Sequence, residues 1–320
     1  MMPSLPQLSA IREAQALLAK HFPPTPLMRA PSLDSPTAEV HLKLETELPT
    51  GSFKPRGALY ALATNLGRRK IEEVTASSTG NHGAATAFAA RTLGVRATIF
   101  LPENANAVKR KKIEDLGAQI VCRGSIDLAD AFTAASEYSR RPGVYFLNDA
   151  TDPDLPAGPG TIGLELTEQL AVIDAVFVPM GDTALIRGVG SAIKQLSPKT
   201  NVIGVQAEKA PSYVLSWRAG KPVPTESCDT CADGLATRTP EALNVAAIHE
   251  VVDDVVLVGE QQILDAIHHL RTKERVLAEP AGAAATAAYL AHPVSGRVAL
   301  LITGANISDA VRKQARIEVR

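Results

Sequence analysis

The stretch Val74-Thr75-Ala76-Ser77-Ser78-Thr79-Gly80-Asn81-His82-Gly83 decides how the rest of the chain is read. Val74–Ser78 is a short run with the composition of a buried strand. The polar turn that follows opens an alanine-rich segment, Gly83–Leu93, which predicts a helix closed by Gly94. Ala97–Leu101 then returns as a second strand. Strand, polar turn, helix and strand make one βαβ unit, and the same alternation recurs along the chain.

Outward from that unit, further strands are expected at Gln119–Arg123, Val144–Leu147, Ala175–Pro179, Val202–Gln206, Asp254–Val258 and Val298–Ile302. Most are continuously apolar, the pattern of strands covered on both faces of a parallel sheet. Helices are expected at Pro55–Asn65, Ala107–Leu116, Ile126–Ser139, Thr161–Leu170, Leu185–Gln195, Glu260–Lys273 and Pro280–Leu290, with Gly117 as a helix stop. The class is therefore α/β with doubly wound open sheets. The proline-rich stretch Pro142–Pro159 is the best place for the chain to cross between two lobes.

Composition narrows the function. The 320 residues carry 33 Lys+Arg against 34 Asp+Glu, a balance that lacks the basic excess of a nucleic-acid binder. No apolar run reaches the ~20 residues of a membrane helix, and the N-terminus has no basic-then-apolar leader. Three cysteines do not make a disulfide framework in a chain of this length. These features predict a soluble, cytoplasmic protein with no nucleic-acid or membrane partner.

Four places concentrate polar chemistry. In Thr50-Gly51-Ser52-Phe53-Lys54-Pro55-Arg56-Gly57-Ala58, a lysine falls in the first turn of a helix. The positive helix end weakens its hold on a proton, which suits an amine that attacks a carbonyl; the alternative is a solvated surface lysine. In Ser77–Gly83, the strand-to-helix turn offers unpaired N–H groups to an anion, or is simply an N-cap, and His82 is catalytic or structural. Met180-Gly181-Asp182-Thr183-Ala184-Leu185 is a similar turn that could cradle a phosphate, or an ordinary α/β turn. Thr303, at the carboxyl end of the last strand, is a ligand partner or a buried backbone-bonded hydroxyl. Two features carry no such weight. Cys228-Asp229-Thr230-Cys231 lacks the second pair a zinc site needs, and Lys109-Arg110-Lys111-Lys112 reads as a solvated helix face.

Taken together, and joined by Pro24-Thr25-Pro26-Leu27, Lys43-Leu44-Glu45, Ala157-Gly158-Pro159-Gly160-Thr161, Ala232-Asp233-Gly234, Glu279-Pro280-Ala281-Gly282-Ala283-Ala284 and Thr303-Gly304-Ala305-Asn306, these motifs resemble the fold type II pyridoxal-phosphate enzymes. Within them the chain is most similar to the threonine/serine dehydratase and serine racemase group. The resemblance implies a tryptophan-synthase-β-like fold, with a large cofactor-binding domain at 1–71 and 148–320 and a small substrate-closing domain at 72–147. It implies no C-terminal regulatory domain, and a homodimer or homotetramer.

The resemblance also implies roles. Lys54 forms the Schiff base with pyridoxal 5'-phosphate and shuttles the α-proton. Phe53 packs on the ring, Asn81 bonds its phenolic oxygen, and Gly234 borders the cofactor. Gly181, Asp182, Thr183, Ala184 and Leu185 form the phosphate loop, with the Asp182 side chain turned away from the phosphate. Thr303 faces the pyridine nitrogen. Ser78, Thr79, Gly80, Asn81 and His82 hold the substrate carboxylate, and Asn148–Pro159 with Thr230–Leu235 shape the side-chain pocket. Gln206 and Ser212 stand where metal-dependent relatives carry acidic ligands, so no metal is expected. The implied reaction is ammonia elimination from a β-hydroxy amino acid such as L-threonine or L-serine. The alternatives are a racemase, a lyase for a larger hydroxy amino acid, and an idle member that only binds an amino acid.

Overall fold

A computed structural model describes residues 5–78, 80–103, 105, 107–122 and 128–317. Thr79, Arg123 and Ile126 lie outside the described residues. The strands are β1 (Leu27–Arg29), β2 (Ala38–Leu44), β3 (Glu73–Ser77), β4 (Arg96–Phe100), β5 (Gln119–Val121), β6 (Val144–Phe146), β7 (Ala175–Pro179), β8 (Asn201–Ala207), β9 (Asp254–Val258) and β10 (Gly296–Ile302). They form two open sheets, one of six strands in the order β1-β2-β10-β7-β8-β9 and one of four in the order β5-β4-β3-β6. Every pairing is parallel except β1 with β2. The chain leaves the four-stranded sheet after β6 and re-enters the six-stranded one at β7.

The apolar runs earn their place by facing two ways. Along β10, Val298, Leu300 and Ile302 pack under the helices Glu260–Lys273 and Pro280–Ala291. Ala299 and Leu301, one residue out of phase, pack under Ala157–Gln169, Ala184–Leu196 and Ala242–Val251. A strand with a core on both faces has no polar phase. Each fully buried leucine there contributes about 1.5–3 kcal/mol.

Two strands and four helices were not expected: β1, β2, and Leu8–Leu18, Ser212–Ala219, Ala242–Val251 and Asp309–Gln314. β2 alternates, Ala38-Glu39-Val40-His41-Leu42-Lys43-Leu44, which disguises it as a half-exposed segment. Its apolar phase faces the core, but Lys43 on the other phase is 0% exposed.

What buries Lys43 is a closed polar network. Its ammonium donates to Glu165 Oε2 at 2.5 Å and to the Thr25 carbonyl at 2.8 Å. Arg56 reaches Glu45 through Nε at 2.8 Å and Nη2 at 3.0 Å, and Glu165 through Nη1 at 2.6 Å and Nη2 at 3.0 Å. Thr161 Oγ1 accepts from Arg56 Nη1 at 2.8 Å, and the Thr25 hydroxyl donates to Glu45 at 2.6 Å. Two cations meet two carboxylates with their hydrogen bonds filled, the condition under which buried charges are tolerated. Several motif residues thus prove to be scaffold. They fasten the helix Lys54–Arg68, whose first residue is the lysine of interest.

That helix is also locked against Ala157–Gln169. A Cβ at Gly158 would stand 2.2 Å from the Arg56 carbonyl oxygen. Only glycine permits so close an approach of two backbones.

Candidate active site

Lys54 is held from three directions. Proline follows it at the helix start, Arg56 anchors the first turn, and the segment before it is stitched to the end of β10. The Phe53 N–H donates to the Thr303 carbonyl at 3.0 Å, and the Ala305 N–H to the Gly51 carbonyl at 2.9 Å. Lys54 and Thr303 therefore line one cavity, together with the turns that follow β3 and β7. The carboxyl ends of strands from both sheets converge on it, the usual ligand position of open α/β folds.

The Lys54 ammonium donates to Asp149 Oδ2 at 2.7 Å. Burial works to lower its proton affinity, but the carboxylates around it, Asp149 first and then Asp182 and Glu279, together raise it. This corrects the expectation from the helix end alone: a carboxylate at hydrogen-bond distance outweighs a partial dipole charge. Asp149 in turn stays ionised despite its burial, held well below the usual carboxylate range by His82 and Lys54. The Phe53 ring centroid lies 5.4 Å from the Lys54 ammonium.

After β3, the Ser78 hydroxyl accepts from the Gly80 N–H at 2.9 Å and shapes the turn. Asn81 opens the helix Asn81–Leu93, and its amide is fixed at both ends. Its nitrogen donates to Glu279 Oε1 at 2.5 Å, and its oxygen accepts from Asn306 Nδ2 at 2.8 Å. His82 is buried. Its Nε2 donates to the Leu147 carbonyl at 2.8 Å, and Nδ1 lies 3.8 Å from Asp149. Burial lowers its proton affinity against the pull of Asp149, and the ring is pinned beneath the turn.

After β7, Gly181 passes so close to the segment at Gly234 that a Cβ would stand 2.3 Å from the Gly234 oxygen. Asp182 turns its carboxylate to the Thr237 hydroxyl, which donates at 3.1 Å. Burial and then the nearby Asp149 push its pKa up to about 6. Thr183 adopts φ +68°, 2% exposed, and its hydroxyl has no hydrogen-bond partner. It precedes the helix Ala184–Leu196 without capping it.

The sequence reading missed part of the site. Asp149, Lys109, Asp233, Thr237 and Glu279 also line the cavity. Asp149 and Asp233 fall in the two segments assigned to the side-chain pocket, but neither stood out by residue type. Lys109 corrects an expectation outright. Far from a solvated face, it is 3% exposed and its ammonium lies 2.6 Å from Asp233. Lys112 is half-buried, donating to the Thr50 carbonyl at 3.1 Å, whereas Arg110 and Lys111 pair with Glu114 and Asp115 on the exposed side. The alternating burial of that face is a 3.6-residue pattern written in cations, which hydropathy does not register.

Elsewhere, Gln206 Oε1 accepts from the Tyr213 and Val214 N–H groups at 3.1 and 3.0 Å, and Ser212 bonds the Thr237 carbonyl at 2.6 Å. Cys228 and Cys231 are not joined in a disulfide, and burial with Glu260 beside it pushes Cys231 up to about 12. Among the described residues no three His, Cys, Asp or Glu side chains converge as a metal-binding group. No helix among them is long and apolar enough to cross a membrane.

The cavity suits a pyridoxal phosphate. An uncapped helix start beside an unpartnered buried hydroxyl at Thr183 suits a phosphate. Lys54 offers a primary amine that would suit the aldehyde, and Thr303 a neutral hydroxyl that would suit a ring nitrogen.

Comparison with known proteins agrees. A family model described as pyridoxal-phosphate dependent enzyme matches residues 18–304. The L-threonine ammonia-lyase of Thermotoga maritima is 40% identical over 94% of this chain and 75% of its own length. The catabolic L-threonine dehydratase TdcB of Escherichia coli is 35% identical over 84% of this chain and 83% of its own. Maize serine racemase superposes with a TM-score of 0.90 at 29% identity, covering 97% and 96% of the two chains. The processed form of threonine deaminase isoform 2 from Solanum lycopersicum gives 0.89 at 30% identity, covering 96% and 86%. With Lys54, the Gly181–Leu185 loop and Thr303 around one cavity, and with that match over most of its length, the chain belongs to the pyridoxal-phosphate dependent enzymes.

Proposed function

We propose that the protein is an ammonia-lyase that converts L-threonine or L-serine to a 2-oxo acid and ammonia. One observation carries the reading: Lys54 lies in a cavity between an anion-ready turn after β3 and an anion-ready loop after β7, with the Thr303 hydroxyl on the same wall. The naming of its relatives as threonine ammonia-lyases and dehydratases supports the substrate class.

Bound pyridoxal phosphate supplies an electron sink for the charge left at Cα when its proton departs. The protein does the rest. Thr183 Oγ1 and the N–H groups that start the helix Ala184–Leu196 hold the phosphate. Backbone N–H groups of the turn after β3 orient the substrate carboxylate, and Asn81 has an amide proton left for the phenolic oxygen. Lys54 accepts the α-proton once its nitrogen is neutral. Asp149 holds that nitrogen's position beforehand. Thr303 offers a hydroxyl rather than a carboxylate, so it would not stabilise a protonated ring nitrogen, and prompt loss of the β-hydroxyl would be favoured over storage of charge. In the same reading residues 72–147 are the smaller, substrate-closing domain, and 1–71 with 148–320 the larger.

The test is the visible absorption spectrum of the purified protein, before and after adding L-threonine and then L-serine. A yellow band that changes as 2-oxo acid accumulates is the expected result. A protein that takes up no pyridoxal phosphate, or a Lys54→Ala variant with undiminished turnover, overturns the proposal.

A further inference from the structure

The helix Ala107–Asp115 lies between β4 and β5 of the four-stranded sheet, yet it sends two lysines, one turn apart, to residues flanking the six-stranded sheet. Lys112 reaches Thr50 and Asn306. Lys109 goes deeper. Its ammonium lies 2.6 Å from Asp233 and 3.3 Å from Glu279 Oε2. Its stem runs beneath the turn that opens the Asn81 helix, where a Cβ on Gly80 would meet Lys109 Cδ at 2.0 Å. Glu279 is 2% exposed and holds the Asn81 amide through its other oxygen at 2.5 Å. An amide nitrogen has two protons, and Glu279 takes one.

Removing the Lys109 charge would leave Glu279 buried, facing Asp233, with no cation in contact. A carboxyl in that position takes up a proton or moves toward water. Either change loosens the hold on Asn81, because a protonated carboxyl accepts the amide proton more weakly than a carboxylate does and a displaced one does not reach it. The clamp has no replacement on the Asn81 side, where Asn306 binds only the amide oxygen.

We propose that Lys109 is a positioning residue of the active site, which fixes the Asn81 amide through Glu279 and seats the start of the Asn81 helix through its contact with Gly80. The inference rests on the assignment of the turn after β3 and Asn81 to the reacting end of the cavity. It adds the Ala107–Asp115 helix to the elements that build the site.

The test uses the cofactor-loaded protein with Lys109→Met, which keeps most of the stem without the charge, Lys109→Arg, which keeps the charge, and the pair Lys109→Met with Glu279→Gln. For Lys109→Met, kcat with L-threonine is expected to fall on the order of 10- to 100-fold, with a smaller change in KM, and the visible cofactor band is expected to shift. Lys109→Arg should recover most of the loss. The double variant should exceed Lys109→Met, because a neutral amide at 279 needs no cation. A second readout does not depend on turnover: trypsin cleavage after Arg110 and Lys111 in the cofactor-free protein should accelerate in Lys109→Met and return toward wild type in Lys109→Arg. A Lys109→Met protein that matches wild type in kcat, band and cleavage overturns the proposal, as does a Lys109→Arg protein no better than Lys109→Met. If Lys109→Met does not fold, the arginine and double variants still decide between charge and packing. Should the wild-type protein turn over neither threonine nor serine, the lyase reading falls while the cleavage rates still judge the clamp.

Discussion

Two neighbours in the β7 loop strain the site in different ways. Asp182 is a buried carboxyl raised to about 6, above the ordinary carboxylate value, so the folded protein favours its protonated form. Its contribution to stability is therefore fully present below the ordinary carboxylate range and is lost as pH rises through about 6. Asp182→Asn removes the liability. Chemical denaturation of the cofactor-free proteins should show the variant more stable by about 2–3 kcal/mol at pH 8, with the gap closing near pH 4. A gap independent of pH would place the effect elsewhere. Thr183 instead carries backbone strain, at φ +68°. Thr183→Gly should relieve roughly 1 kcal/mol of it and raise the melting temperature of the cofactor-free protein. The same change removes the unpartnered hydroxyl, so pyridoxal-phosphate affinity in a fluorescence titration should drop about tenfold or more. Stability and binding moving in opposite directions is the signature to seek.

At the scale of elements, the polar network and the close helix pair set Lys54 in place. Arg56→Ala leaves Glu45 and Glu165 buried without their fork and should cost about 3–5 kcal/mol, read as a loss in the denaturation midpoint. Gly158→Ala drives a methyl into the Arg56 carbonyl, 2.2 Å away in the present packing. It should cost about 1–3 kcal/mol and impair cofactor attachment, because the helix that must yield begins at Lys54. The elements themselves were legible unevenly. Strands with a core on both faces, such as β7 and β10, announce themselves as apolar runs. β2 does not, because its second phase is packed with His41 and Lys43, and the burial of Lys43 depends on a partner more than a hundred residues away. The same reasoning explains Lys109, which stands in a run of cations. The lysine and its motif at Lys54, the turn at Asn81 and the hydroxyl at Thr303 were readable because they are local. Asp149 and Thr237 were not, since a single aspartate or threonine in a loop carries no local signature and acquires meaning only where the cavity gathers it.

For the molecule as a whole, the cavity joins residues from both sheets, so a ligand that fills it binds the folded chain and not the unfolded one. Pyridoxal phosphate at about 100 times its Kd should stabilise the protein by about 2.7 kcal/mol, seen as a concentration-dependent rise in melting temperature. Lys54→Ala should blunt that rise, and a rise unaffected by that substitution would argue against covalent attachment. The strand order has a further consequence for the chain as it is made. β3 to β6 are consecutive, and their sheet can close as soon as they have emerged. β2, in contrast, lies between β1 and β10, and β10 is about 250 residues further on, roughly ten seconds to a minute of synthesis. Through that interval one side of β2 offers unpaired N–H and C=O groups, with Val40, Leu42 and Leu44 waiting for their cover. The ribosome delivers the lysine early and its strand neighbour last, so the growing chain depends most on chaperones while β2 stands open.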